Sequence, residues 1–76
     1  MAFIRRNQIS KKTVSSMTRS AGSRELNNMQ NARWIAKNKD GSRITFVRQN
    51  PNYGKKGQTT KSCKSVYDVK RGRWVQ

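Results

Sequence analysis

Histidine is absent from this chain of 76 residues, Asp and Glu together number three, and proline and cysteine occur once each. Each shortage excludes something. Without histidine the usual general base near neutral pH is missing, and Glu25, Asp40 and Asp68 are the only carboxylates, so acid/base catalysis has almost nothing to work with. Cys63 alone makes neither a four-ligand zinc site nor an internal disulfide, and three scattered acids make a poor magnesium site. The chain is therefore expected to hold no metal or other cofactor and to contain no catalytic residues. A solitary thiol fits a reducing compartment, hence the cytoplasm. Lys61 and Lys64 beside Cys63 would favour a thiolate, but the simpler reading is a small, half-buried strand residue. No stretch approaches the roughly 18 apolar residues of a membrane span, and no apolar region follows Arg5 and Arg6 as a secretory signal requires. The first 24 residues lack acids and hold seven Ser and Thr, a composition shared with organelle transit peptides. Their apolar positions Phe3, Ile4, Ile9, Val14 and Met17 form only a broken helical stripe.

What the chain has in excess is positive charge. Its 18 Lys and Arg give a formal net charge of +15, with an isoelectric point near 11.5. Hydrophobic residues make up 32%, enough for one small core and no deep pocket. Self-repulsion at this charge opposes compaction unless a polyanion neutralises the chain, so the expected partner is nucleic acid, an anionic membrane surface or a strongly acidic protein. The charge is spread along the chain. Residues 1–30 carry six cations and Glu25, a net +5, and residues 31–76 carry twelve cations with Asp40 and Asp68, a net +10.

Residues 1–24 are basic, Ser/Thr-rich and poor in branched apolar side chains, which predicts a flexible arm. Residues 25–76 are expected to form a small β-domain. Residues 23–30 have helical potential, with Ser23 as N-cap, Glu25 near the positive helix end, and Leu26 and Met29 facing a core. Beyond Asn31 the pattern changes to strands. Residues 32–37 and 43–48 flank Asn38-Lys39-Asp40-Gly41-Ser42, a strong hairpin signal. A three-residue loop with Gly41 in the left-handed conformation would pair Asn38 with Ser42. It would place Ala36 opposite Ile44 and Trp34 opposite Phe46 on one apolar face, with Lys37 and Arg43 on the other. A two-residue loop would set Phe46 opposite Ile35 and mix the faces, so the three-residue loop is expected.

A second hairpin is read at residues 65–69 and 73–76 around Lys70-Arg71-Gly72, with Tyr67 and Val75, or Val66 and Trp74, as alternative apolar faces. Residues 50–57, with Pro51, Gly54 and Gly57, read as an exposed loop. Residues 58–64 read as a polar, twisted or edge lead-in to the third strand. The expected fold is mainly β: a four-stranded antiparallel meander that either curls into a small SH3-like barrel or is covered by the residue 23–30 helix. Its core would hold Trp34, Ile44, Phe46, Val66 or Tyr67, and Trp74.

The segment Val66-Tyr67-Asp68-Val69-Lys70-Arg71-Gly72-Arg73-Trp74, preceded by Lys39-Asp40-Gly41-Ser42-Arg43-Ile44-Thr45-Phe46, resembles small SH3/Sm-type β-barrel proteins common in phage genomes. The resemblance covers the last 45 residues. It implies a small accessory factor that binds nucleic acid or a host machine in the cytoplasm, without catalysis.

Lysines and arginines on a small domain are ordinarily a solubilising face. Here the near absence of acids favours phosphate contact instead. The candidate contacts are Lys55 and Lys56 in the glycine-flanked loop, Lys70, Arg71 and Arg73 at the last turn, Arg5, Arg6, Lys11 and Lys12 on the arm, and Arg33, Lys37, Arg43 and Lys64 along the polar sheet face. Tyr53, in a loop beside Lys55, is the candidate for stacking on a base. Trp34, Phe46 and Trp74 are expected in the core. No RNA-recognition, zinc-finger or helix-turn-helix signature is present. The leading expectation is a non-catalytic nucleic-acid-binding protein, with RNA favoured over duplex DNA. The rival is a modulator that docks on an acidic face of a host nucleic-acid enzyme, such as an RNA polymerase or a nuclease.

Overall fold

The computed structural model describes residues 2–59 and 61–76. Met1 of the expected arm and Thr60 of the expected residue 58–64 segment lie outside them. The protein is mainly β, one antiparallel sheet with two helices on one face. Its elements are β1 (Ala2–Ile4), a short 3-10 helix (Arg6–Gln8), α1 (Lys11–Ser20), α2 (Ser23–Asn31), β2 (Trp34–Lys37), β3 (Arg43–Gln49), β4 (Ser62–Asp68) and β5 (Arg73–Trp74). The strands lie in the order β1-β2-β3-β4-β5. β2 to β5 form the expected meander, β1 adds a fifth strand, and the sheet stays open because β1 and β5 are opposite edges.

The segment expected to be a flexible arm is built into this fold. Ala2 to Ile4 pair with β2, Ile4 opposite Ile35, and α1 delivers Met17, fully buried, into a core cluster with Ile35, Ile44, Phe46 and Tyr67. Composition hid this because α1 contributes one buried apolar side chain and makes its remaining ties through polar groups. Ser10 caps the helix by accepting from the Thr13 N–H at 3.2 Å. Ser16 Oγ and Tyr67 Oη lie 2.8 Å apart, and Trp74 Nε1 donates to the Met17 carbonyl at 3.1 Å. Trp74 also meets Tyr67 edge to face, with ring centroids 5.2 Å apart, and lies 5.8 Å from Phe46.

Helix α2 falls where helical potential was read, one position displaced: Gly22, rather than Ser23, is the N-cap. Leu26 and Met29 are half-buried, while Asn28 is fully buried. Asn28 donates to Ser65 Oγ at 2.6 Å and accepts from Arg48 Nε at 2.9 Å. This polar trio ties α2 to β3 and β4. A buried amide with both functions satisfied is tolerated where an unpaired one is not.

The first hairpin departs from expectation by one residue. Its loop is Lys39 to Ser42, closed by Gly41 N–H to the Asn38 carbonyl at 3.0 Å and by Asn38 N–H to the Arg43 carbonyl at 3.3 Å. Gly41 is left-handed, φ 72°, as anticipated. Ser42 nevertheless leaves the ladder, because its N–H and hydroxyl donate to Asp40 Oδ1 at 3.0 and 2.7 Å and its Oγ accepts from Asn38 Nδ2 at 2.9 Å. Phe46 therefore pairs with Ile35, Ile44 with Lys37, and Trp34 with Val47. A one-residue shift reverses faces: Ile35, Ile44 and Phe46 point to the helices, and Trp34 points away. Lys37 and Arg43, expected on one face, lie on opposite faces.

In the second hairpin Tyr67 pairs with Trp74, so these two share the helix side, in place of the alternatives Tyr67 with Val75 or Val66 with Trp74. Val66 lies on the other face. Ser62 to Lys64, expected as a lead-in or edge, belong to β4 and pair with Gln49 to Val47 of the neighbouring strand.

Met17→Ala should lower unfolding free energy by about 2–4 kcal/mol in urea titrations; an unattached arm would leave the midpoint unchanged. Asn28→Ala should cost about 1–3 kcal/mol by leaving Ser65 and Arg48 without their buried partner.

Candidate nucleic-acid interface

Two surfaces emerge from this arrangement. The first is the sheet end made by both hairpin tips. The Val69 N–H donates to the Ser42 carbonyl at 2.8 Å, which knits the tips together. Register sets Arg43, Asp68 and Arg73 side by side across β3, β4 and β5. The start of α1 reaches the same end, since Ser10 and Thr13 border a depression with Lys37, Gly41 and Val69. Lys12 borders another beside Tyr67 and Val69. Lys11, Lys12, Lys37, Lys39, Arg43, Lys70, Arg71 and Arg73 thus converge here, all exposed.

Their local counter-charges are already engaged. Asp68, buried at the strand end, accepts from the Arg71 N–H at 3.1 Å and faces Arg71 Nε at 3.8 Å. Gly72, left-handed with φ 67°, closes this turn through its N–H to the Asp68 carbonyl at 2.8 Å; a side chain there would strain the backbone. Asp40 is held below the ordinary aspartate range by the Ser42 N–H and hydroxyl, with a further contribution from the Lys70 charge. Both acids serve their own turns.

The second surface is the sheet face opposite the helices. Beside the Gln49–Ser62 pair at the far end, three rows cross the strands there. One carries Trp34, Val47 and Lys64, the next Phe3, Ala36, Thr45 and Val66, and the third Arg43, Asp68 and Arg73. Trp34 is 47% exposed, Phe3 75% and Val75 42%. Trp34, expected in the core, is thus a surface residue, because the loop residue Ser42 turned it outward. The Arg33 guanidinium lies 4.8 Å from the Trp34 ring centroid, within cation–π range. Phe46 and Trp74 lie on the core side as expected.

Other predicted contacts lie elsewhere. Lys55, Lys56 and Tyr53 occupy the exposed loop at the far end of the sheet. Tyr53 is 48% exposed, with Lys61 Nζ 6.0 Å from its ring centroid. Lys56 adopts a left-handed backbone, φ 50°, uncommon for a non-glycine residue. Arg6 donates to the Gln30 carbonyl and belongs with Arg5 to the turn after β1. Sequence reasoning missed Phe3, Val75, Lys39, Lys61 and Arg24. The Arg24 guanidinium donates to the Lys64 carbonyl at 2.6 Å. Phe3 was hidden by the composition around it, although Ala2-Phe3-Ile4 is itself a short apolar run.

A depression of about 410 Å³ bordered by Arg6, Ile9, Val14, Met17, Met29 and Phe46 lies at the seam of helices and sheet. Among the described residues no group of three or more His, Cys, Asp or Glu is placed to hold a metal ion, and no helix is long and apolar enough to cross a membrane. Cys63 is a half-buried free thiol on β4. No protein-family model, curated protein or solved structure matches the chain.

Acrylamide should quench two tryptophan populations in the free protein, an accessible one and a shielded one. Trp34→Phe should remove the accessible population; its persistence would place Trp34 inside.

Proposed function

We propose that this is a non-catalytic nucleic-acid-binding protein that contacts phosphates through the cations of its joined hairpin tips, with RNA favoured over duplex DNA. The observation that carries this reading is the convergence of cations from both tips, the sheet end and the start of α1 around two acids engaged in their own turns. Such a cluster is self-repelling in the free protein. A polyanion relieves that repulsion and releases its own counterions on binding. Lys11 and Lys12 reinforce the point, because they occupy the first turn of α1, which carries no acid. Cations there oppose the helix dipole, so their placement costs stability. The lack of histidine and the structural use of Asp40 and Asp68 support a binding role over a catalytic one.

With about six to eight phosphates neutralised, log affinity against log salt should fall with a slope of roughly −5 to −7 on duplexes and about −4 to −6 on single strands. Replacing Lys39, Lys70 and Arg71 by Gln should flatten that slope by about 2 to 3, as measured by fluorescence anisotropy across a salt series. Affinity insensitive to salt, or a nuclease-resistant one-to-one complex with an acidic protein that fails through one or two anchor side chains, would overturn the proposal in favour of protein docking.

A further inference from the structure

We infer that the open face of the sheet is a platform for single-stranded nucleic acid, with bases stacked on Trp34 and Phe3 and phosphates held by Lys64 on one side and Arg43 and Arg73 on the other. The inference rests on the nucleic-acid reading above and specifies how that ligand lies on the protein.

An exposed aromatic on a small domain is commonplace and carries nothing alone. Here three further observations bear on it. The chain is starved of apolar material, at 32% hydrophobic, yet leaves Phe3, Trp34 and Val75 on the surface. Strand spacing of about 4.8 Å makes the middle row, from Phe3 past the buried Ala36 and the half-buried Thr45 and Val66 to the adjoining Val75, an uncharged band about 19 Å long. The rows on either side, about 7 Å away along the strands, carry Lys64 at one and Arg43 and Arg73 at the other. A shallow trough of about 490 Å³ covers the β3–β5 part of this face, bordered by Arg43, Thr45, Lys64, Val66, Val75 and Gln76, with Trp34 and Phe3 outside its border.

An uncharged band between two cationic borders is complementary to a ligand with flat apolar groups and regularly spaced negative charge. Unpaired nucleotides offer both. A duplex offers only its phosphates, since its base faces are stacked on one another, and would leave Phe3, Trp34 and Val75 unused. Arg33, already over the Trp34 ring at 4.8 Å, places a cation beside the stacking site, where it meets the phosphate of a stacked nucleotide. Asp68 does not break the pattern. It is buried and turned into its own loop, where it accepts from the Arg71 N–H.

The test uses the full chain with an eight-nucleotide oligouridine and with an RNA duplex of the same length, both at fixed low salt. Trp34→Ala should weaken the single strand by about 5- to 150-fold, the range for losing one stacked base, and leave duplex affinity unchanged. Trp34→Phe keeps an aromatic face and should retain most of the affinity, while abolishing the fluorescence quenching that oligouridine is expected to produce at Trp34 in the unaltered protein. Phe3→Ala, on another strand, should also weaken the single strand, and circular dichroism melts check that each variant is folded. Unchanged single-strand affinity in folded Trp34→Ala, alongside weakened binding in the Lys70→Gln, Arg71→Gln variant, would overturn the platform and leave the nucleic-acid reading standing. Loss of a protein dimer in Trp34→Ala, with oligouridine binding intact, would overturn it in favour of self-association. No binding of either RNA by the unaltered protein would sink both readings together.

Discussion

The chain has enough apolar material to cover one face of its sheet, and the rest of the structure follows from that limit. The buried cluster of Met17, Ile35, Ile44, Phe46 and Tyr67 lies entirely between the helices and one sheet face. A sheet needs at least one covered face to persist in water, and once α1 and α2 supply it nothing remains for the other. The helices are then fixed less by apolar area than by directed polar contacts. Ser16 meets Tyr67, Trp74 meets the Met17 carbonyl, and Asn28 joins Ser65 and Arg48. Such bonds are modest in net worth but specific in geometry. They suit a protein that must define one docking arrangement with little hydrophobic surface.

The same economy decides where charge accumulates. With few acids available, Asp40 and Asp68 serve hairpin geometry, and apart from the Arg71–Asp68 ion pair the lysines and arginines around them far outnumber the carboxylates that could neutralise them. Because every second turn of a meander falls at the same end, the β2–β3 and β4–β5 tips are brought together by topology, and the β3–β4 loop with Lys55 and Lys56 is sent to the other end. α1 starts beside the tips and adds Lys11 and Lys12 to an already cationic end. Placing like charges together costs stability in the free protein, and on the proposed reading a polyanion offsets that cost.

Much of the fold was legible in the residues. Alternating β-branched and aromatic positions marked the hairpin strands, the glycines at 41 and 72 marked left-handed turn positions, and Leu26 with Met29 marked α2. The segment that became α1 was not legible, because Ser, Thr and Lys dominate it and its one deeply buried side chain, Met17, has no apolar partner on its own helix at full burial. The hairpin register was not legible either. Choosing between loops by collecting apolar residues on one face assumed a single apolar face; the sheet has two, one covered and one open. What decided the register was the hydrogen bonding of Asp40 and Asn38 to Ser42, a local polar detail that leaves hydrophobic pattern silent.

The sequence alone determined the mainly β architecture, the large excess of positive charge and the poverty of catalytic groups, because composition and local propensity act residue by residue. Tertiary structure decided which of these residues meet. It drew residues 2–24 into the fold, joined the basic tips through Val69 and Ser42, and turned Trp34 outward by one step of register. Those outcomes depend on loop hydrogen bonds and on which face the helices cover, and both are properties of contacts between residues far apart in the chain.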